Sequence, residues 1–435
     1  MWLAYRNSNS KDAKLLPEDK KVRLLGWIAS KREHGKKIFI SLRDRYGYIQ
    51  LVANKDQLPE DVFTNVKEAY LESAVAVEGQ IKKDPRAPGG AEVHLSNFIV
   101  ISKSEEWPIT LSALKSPEFL FDKRHLTIRG PKSRAVMLVR AALLKNAIDY
   151  FIKNDYVWIQ APTFITSAVE GGATLFPVEY FGRVAYLTQS AQFYEEAVIC
   201  ALEKVFVVQP SFRSEKSRTR KHLTEFWHIE AEVAFASHED IMKVEEELLS
   251  HMINKTIEEM SDEINFVRKG KLPSSLEPPY EKLSYDEAIF MLQKKGFDIE
   301  WGDDFGAREE RALSKMFDKP FFVTGYPVVT RSFYHMKDPN RPEVTLSSDL
   351  FAPEGYGEIT SGGQRIHSYE ELYNKILEMG LNPEEYDWYL EIRKYGMPPH
   401  SGFGLGLERV LTWLLKLPHI RDSTLFPRTP ARLHP

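Results

Sequence analysis

Residues 212–232 read FRSEKSRTRKHLTEFWHIEAE, a stretch whose side chains are equipped for phosphate chemistry. Arg213, Lys216, Arg218, Arg220, Lys221 and His222 crowd cations into one short segment, which repels itself unless it meets a polyanion. After Thr224 the residues alternate. Phe226, His228, Glu230 and Glu232 fall on one strand face, and Trp227, Ile229, Ala231 and Val233 on the other. Guanidinium groups suit phosphate, an aromatic ring suits a base or a cation, and carboxylates suit an ammonium group. A second cluster lies at residues 402–409, GFGLGLER. It opens a helix with the apolar stripe Leu407, Val410, Leu411, Leu414 and Leu415. Arg409 falls in the first turn, where the helix dipole disfavours a cation. An anion in front of it, met by free amide groups, resolves that conflict. The glycines would let strand backbone come close to such a ligand.

Strands are needed to hold both clusters. The basic segment sits between a β-branched run, VFVVQP, and the alternating strand, which makes a hairpin. Residues 131–153 carry apolar side chains at helical spacing and lead into a strand, YVWIQAPTF. Pro162 near its end belongs at an edge or interface, because proline gives no hydrogen to a sheet ladder. Helices are expected over 239–260 and 285–295, and strands over 320–328 and 346–360 with SGGQRIH at the turn. There is no βαβ regularity and no GxxxxGK[ST] loop. The pattern gives an α+β domain on an antiparallel β-sheet flanked by helices, without a Walker-type nucleotide site.

Residues 21–102 read instead as five short strands with one helical insert at 59–70, a small closed barrel of the OB-fold type. Arg32, Phe39 and Gln50 there offer a cation, a ring and an amide, which suits single-stranded RNA. Strand spacing alone leaves Phe39 open between a core position and a stacking platform. The proline-broken segment 104–128 reads as a hinge between a domain at 1–103 and another at 129–435. A net charge of -4 excludes a generally basic nucleic-acid coat, so contact with nucleic acid must come from local patches. With 43% hydrophobic and 28% charged residues, the chain has the composition of a soluble globular protein. Its single cysteine, Cys200, excludes an internal disulfide and sits in an apolar helical run as an expected buried thiol. No segment suits a membrane span or a signal peptide, so a cytoplasmic location is expected.

Taken in order, these segments resemble the class II aminoacyl-tRNA synthetases. FRSE with its basic loop and Phe226 is similar to their motif 2, and GLGLER to their motif 3. The helix and strand ending at Pro162 resemble motif 1, the dimer-forming element. With the barrel and SGGQRIH, the likeness narrows to the aspartyl, asparaginyl and lysyl subgroup and covers nearly the whole chain. It implies ATP as substrate, Mg2+, a tRNA partner and a homodimer through motif 1. By that likeness Arg213 would contact the α-phosphate and the amino-acid carboxylate. Arg409 would hold the γ-phosphate side of a bent ATP, and Phe226 would stack on adenine. Glu215, Lys221, His222 and Leu223 would line adenine and phosphates, with Gly406, Leu407 and Glu408 beside them. Glu358, Asp349 and Ser361 would hold Mg2+ through oxygen. Glu170 and Gln192 would secure the α-ammonium group, and Arg365 the side-chain oxygen. Arg213, Glu358 and Arg409 form the expected catalytic set. No general base is required, since the substrate carboxylate is itself the nucleophile, and catalysis is positioning plus electrostatics. In the barrel, Phe39 would lie under an anticodon base, with Gln50 reading the central uridine and Arg32 beside them.

The same resemblance separates asparagine from aspartate. Aspartyl members resemble QSPQLYKQ where this chain reads QSAQFYEE. Glu195 therefore replaces a lysine that pairs with the substrate carboxylate, and a carboxylate there would repel aspartate. Glu230 would accept from the amide NH2 of asparagine while Arg365 donates to its oxygen. The tail FPRTPARL also suits the asparaginyl group, whereas SGGQRIH and KYGMPPH look more aspartyl-like. The expectation is an asparagine ligase of compact archaeal type that charges tRNA(Asn). An aspartate ligase, a tRNA-independent asparagine synthetase and an inactive RNA-binding paralogue are its alternatives.

Overall fold

The computed structural model describes residues 2–110, 112–169, 174–215, 221–272 and 276–435. Two units compose it, Met1–Leu120 and Phe121–Pro435. The first is a closed barrel of strands Lys21–His34 (β1), Lys37–Asp44 (β2), Gly47–Asn54 (β3), Ala74–Lys83 (β4) and Ala91–Ser102 (β5), in the order β1-β2-β3-β5-β4. Helix Glu60–Glu68 (α1) lies between β3 and β4. Alternation makes the barrel: Ile38, Ile40 and Leu42 of β2 join Leu24, Leu51, Val75 and Phe98 in the core. Each such side chain contributes about 1.5–3 kcal/mol by leaving water. Gly35 between β1 and β2 has φ of 57°, the left-handed conformation a tight turn asks for.

In the second unit one sheet runs through the whole domain. Its strands are Val157–Trp158 (β6), Lys204–Phe212 (β7), Glu225–Ala234 (β8), Glu281–Ser284 (β9), Phe321–Thr324 (β10), Ser347–Ala352 (β11), Gly357–Gln364 (β12) and His400–Gly406 (β13). They lie in the order β9-β10-β11-β12-β13-β8-β7-β6. The middle pairs are antiparallel as expected, but β6–β7 and β9–β10 at the two edges are parallel. Parallel neighbours need long helical crossovers. Helix Gln192–Leu202 (α3) supplies one, and Tyr285–Lys294 with Ala307–Ser314 (α5, α6) supply the other.

Helices Pro131–Lys153 (α2) and His238–Val267 (α4) cover one sheet face. Their apolar stripes close over Ile229, Ala231, Phe403 and Leu405, together with Trp413 of helix Leu407–Leu414 (α7). Proline at the first position starts α2, and a reciprocal Ser237–Asp240 capping box starts α4. Such a cap is worth about 1 kcal/mol. Met260, the expected end of α4, is a kink through which the helix continues.

Three local expectations are corrected. YVWIQAPTF is not one strand: Val157–Trp158 and Phe164–Ile165 belong to different sheets, with Pro162 between them unable to serve either ladder. SGGQ is not a turn but the end of β12. Its glycines answer to crowding, since a Cβ at Gly362 would lie 2.5 Å from Glu245 Oε1 and one at Gly363 would lie 2.6 Å from the Leu346 carbonyl. Cys200 is exposed on α3, whose buried side is made by Gln192, Phe193, Glu195, Glu196 and Ile199. No helix among the described residues is long and apolar enough to cross a membrane.

Candidate active site

From His228 onward β8 is buried along both faces, where alternation alone predicts one wet face. One face packs under α2 and α4, and the other forms the floor of a cleft of about 880 Å³. Arg213 leaves the end of β7, its backbone N–H donating to the Thr224 carbonyl at 3.1 Å across the hairpin neck. Arg409 enters from the first turn of α7. These two guanidinium groups, from segments far apart in sequence, line the same cleft.

Around them the expected nucleotide residues assemble. Arg213 Cζ lies 5.4 Å from the centre of the Phe226 ring. Lys221 Nζ is 2.9 Å from Glu310 Oε2, and His222 Nε2 is 3.8 Å from Glu215. Arg409 Nη1 donates to Glu358 Oε1 at 2.7 Å, and Glu310 also accepts the Glu358 backbone N–H at 3.1 Å. Burial raises the Glu358 carboxyl to about 7; Arg409 opposes this, while Asp349 and Glu310 add to it. Leu223 and Gly406 complete this wall. Two motif 3 neighbours do other work. Leu407 is buried in the core. Glu408 borders the cleft but gives both oxygens to Arg140 of α2, at 2.6 Å, and to the Trp227 N–H, at 3.0 Å. It ties the start of α7 to α2 and β8.

At the other end stand Gln192, Glu195, Glu230 and Arg365. Glu230 accepts from the Ser190 hydroxyl and, at 2.9 Å, from the Ala191 N–H. Arg365 Nε and Nη2 each lie 3.1 Å from an oxygen of Glu232. Behind this pair, Glu196 meets the Arg393 guanidinium, the Tyr389 hydroxyl at 2.8 Å, His400 Nε2 at 3.0 Å and Gln192 Nε2 at 2.9 Å. Burial pushes Glu196 up, but Arg393 and His400 outweigh it and hold the carboxyl well below its usual range. Gly402 makes room for this network rather than for a ligand: a Cβ there would sit 1.9 Å from Glu232 Oε2. Gly404 and Gly406 do face the cleft.

Sequence reading gave no role to Glu196, Arg393, Tyr389 or His400, which come from separate segments with no spacing to join them. Glu232 was visible on the polar strand face but without its partner. His228 was visible in the same way. It lies between Phe226, whose ring is 4.7 Å away edge-on, and Glu230, whose Oε1 is 3.7 Å from its Nδ1. Burial first, then Arg213 and Arg409, keep this imidazole neutral.

Asp349 faces Ser361 across β11 and β12, and Glu358 follows on β12 opposite Phe351. Arg331, also unforeseen, donates to Asp349 Oδ2 at 2.7 Å and to Ser361 Oγ at 3.3 Å. Asp349 is not part of the cleft wall, whereas Glu358 and Ser361 are. Two carboxylates and a hydroxyl are the oxygen donors that a hard divalent cation takes; in this structure Arg331 holds Asp349 and Ser361, and Arg409 holds Glu358. The charge of Asp349, which raises the Glu358 carboxyl, is the kind such an ion relieves. Glu170 lies outside the described residues, as do Lys216, Arg218 and Arg220.

In the barrel, Phe39 is on the outer face of β2, between the core residues Ile38 and Ile40. Arg32 Cζ lies 5.0 Å from its ring and Arg32 Nη2 donates to Gln50 Oε1 at 3.3 Å. Gln50 Nε2 donates in turn to Glu92 Oε2 at 2.7 Å. A cation, a ring and an oriented amide therefore share one surface.

Residues 116–430 match the tRNA synthetases class II (D, K and N), and residues 22–101 match the OB-fold nucleic acid binding domain. The asparagine–tRNA ligases of Pyrococcus furiosus and Thermococcus kodakarensis are 53% and 52% identical to the chain over 420 residues, 96% of this chain and 97% of each relative. The crystal structure of asparaginyl-tRNA synthetase from Pyrococcus horikoshii complexed with asparaginyl-adenylate is similar with a TM-score of 0.94. It is 52% identical, over 96% of this chain and 97% of that one.

Proposed function

The chain belongs to the class II tRNA synthetases (D, K and N), and on that footing we propose that it is an asparagine–tRNA ligase. Asparagine and ATP give asparaginyl-adenylate and pyrophosphate, and the asparaginyl group then passes to tRNA(Asn). The observation that carries this reading is one cleft with Arg213, Phe226 and Arg409 at one end and Glu230 with Arg365 at the other. Phe226, His228 and Glu230 share a strand face, so they repeat about every 7 Å. On this reading adenine, the acyl-phosphate link and the amino-acid side chain would follow one another along β8.

In the first step the asparagine carboxylate attacks the α-phosphorus and pyrophosphate leaves. Arg213 stabilises the charge that gathers on the α-phosphate, and Arg409 holds the leaving phosphates. Neutral His228 adds no competing cation beneath the link. Glu230 accepts from the side-chain NH2, Arg365 donates to the side-chain oxygen, and Gln192 with Glu170 receives the α-ammonium group. Asp349, Glu358 and Ser361 would hold Mg2+, which would supply positive charge against that of the phosphates. Dimerisation is proposed through the edge at β6, where Val157 and Trp158 are 41% and 51% exposed. Large apolar side chains on a strand edge call for cover.

The test is amino-acid-dependent exchange of pyrophosphate into ATP. The wild-type protein is expected to exchange with asparagine and not with aspartate; the reverse would make it an aspartate ligase. Phe39→Ala supplies the tRNA arm. Charging should fall about tenfold, the value of one base–aromatic stack, with exchange lowered less than about twofold. Equal losses in both assays would place Phe39 in barrel stability instead.

A further inference from the structure

Four carboxylates gather at the amino-acid end of the cleft: Glu195 from α3 and Glu230 from β8 on its wall, with Glu196 and Glu232 behind them. Two guanidinium groups face them, and both are engaged: Arg365 with Glu232, Arg393 with Glu196. Glu230 has the Ser190 hydroxyl and the Ala191 N–H. Glu195 is placed differently. It is 1% exposed, its Oε1 is buried without a hydrogen-bond partner, and no ion pair joins it to a cation among the described residues. An ionised carboxylate in such a place is among the least stable arrangements a protein can hold, and the group takes up a proton instead.

Resting on the asparagine reading above, we propose that Glu195 is carried as a neutral carboxyl that hydrogen-bonds the uncharged side-chain amide of asparagine. Aspartate is then refused because its carboxylate offers no NH2 to the acceptors of the pocket, not because a Glu195 anion repels it. This revises the expectation drawn from sequence. The surroundings agree: burial first, then Glu230 and Glu232, push Glu195 well above the ordinary carboxylate range, with Glu196 adding to them and Arg365 opposing. A pocket made of matched donors and acceptors rejects the wrong side chain strongly, since the wrong ligand leaves buried groups unpaired.

Glu195→Gln keeps a neutral donor and acceptor of nearly the same shape, whereas Glu195→Leu removes both. In pyrophosphate exchange, Glu195→Gln should lose about threefold in kcat/KM for asparagine and Glu195→Leu about a hundredfold, the effect of leaving a buried polar contact unmade. Neither variant should gain aspartate exchange. Three outcomes of the exchange assay overturn the proposal. Glu195→Gln using aspartate about ten times better than wild type would show that charge was the barrier. Glu195→Gln falling as far as Glu195→Leu would show that the anion is required. Glu195→Leu matching Glu195→Gln would show that the side chain makes no contact. The infrared difference spectrum, wild type minus Glu195→Gln, provides a readout independent of substrate. It should contain the carbonyl stretch of a neutral carboxyl at neutral pH, and its absence overturns the proposal. Should wild type exchange with aspartate alone, the asparagine assignment fails, while the infrared band still decides the state of Glu195.

Discussion

Arg213→Ala lowers pyrophosphate exchange by about a thousandfold or more and leaves the thermal midpoint near that of wild type. The argument is electrostatic. As the asparagine carboxylate closes on the α-phosphorus, charge builds on the phosphate oxygens, and one preorganised donor there is worth about a hundred- to a thousandfold. Arg213 presents several donors in a fixed fork from a β-hairpin end, 5.4 Å over the Phe226 ring. Its loss falls mainly on kcat, because Arg409, Lys221 and Phe226 still hold ATP in the ground state. Stability is spared because Arg213 stands on the cleft wall and fills no part of the core. Arg213→Lys recovers little, since a single ammonium cannot reproduce the fork. Exchange reduced less than about tenfold by Arg213→Ala would remove Arg213 from the reaction.

Arg365→Met has a different signature, because it damages the fold and the site together. Arg365 is 3% exposed and is gripped by both oxygens of Glu232, itself fully buried. Removing one member of a buried pair strands the other, at a cost of about 3–5 kcal/mol. The thermal midpoint should fall accordingly, and asparagine activation should be lost with it. Arg365→Met combined with Glu232→Gln separates the two effects. Neutralising the stranded carboxylate restores much of the stability, while activation stays lost because nothing donates to the amide oxygen. If the double variant regains exchange, Arg365 is a structural cation and not a substrate contact.

Where chemistry is carried by residues close together in the chain, it was legible in the sequence. Arg213, Lys221, His222 and Phe226 lie on one hairpin, and a period of two sorted Phe226, His228 and Glu230 onto the cleft wall, with Glu232 on the same strand face behind it. The apolar stripe of α7 likewise placed Arg409 in its first turn. Legibility stopped within that same turn. Three consecutive residues point three ways round a helix, so Leu407 enters the core, Glu408 reaches Arg140 and Arg409 meets Glu358. Long-range pairing was the larger gap. Arg331 on Asp349, Arg365 on Glu232 and Arg393 on Glu196 join segments whose separation carries no periodic signal. Glycine also misled. The SGGQ segment has turn composition, yet Gly362 and Gly363 are paired within the end of β12, where neighbouring atoms leave no space for a Cβ. The parallel edges of the sheet were hidden because β6 and β9 are too short to show a pattern of their own.

The central claim is that one adenylate with its attached asparagine spans the cleft from Phe226 to Arg365. A crystal structure of the protein with a non-hydrolysable asparaginyl-adenylate analogue tests it most directly. The expected density stacks adenine on Phe226, sets the phosphate mimic against Arg213 and places the side-chain amide between Glu230 and Arg365. Density with the adenine away from Phe226, or with the amide out of reach of both Glu230 and Arg365, would contradict it.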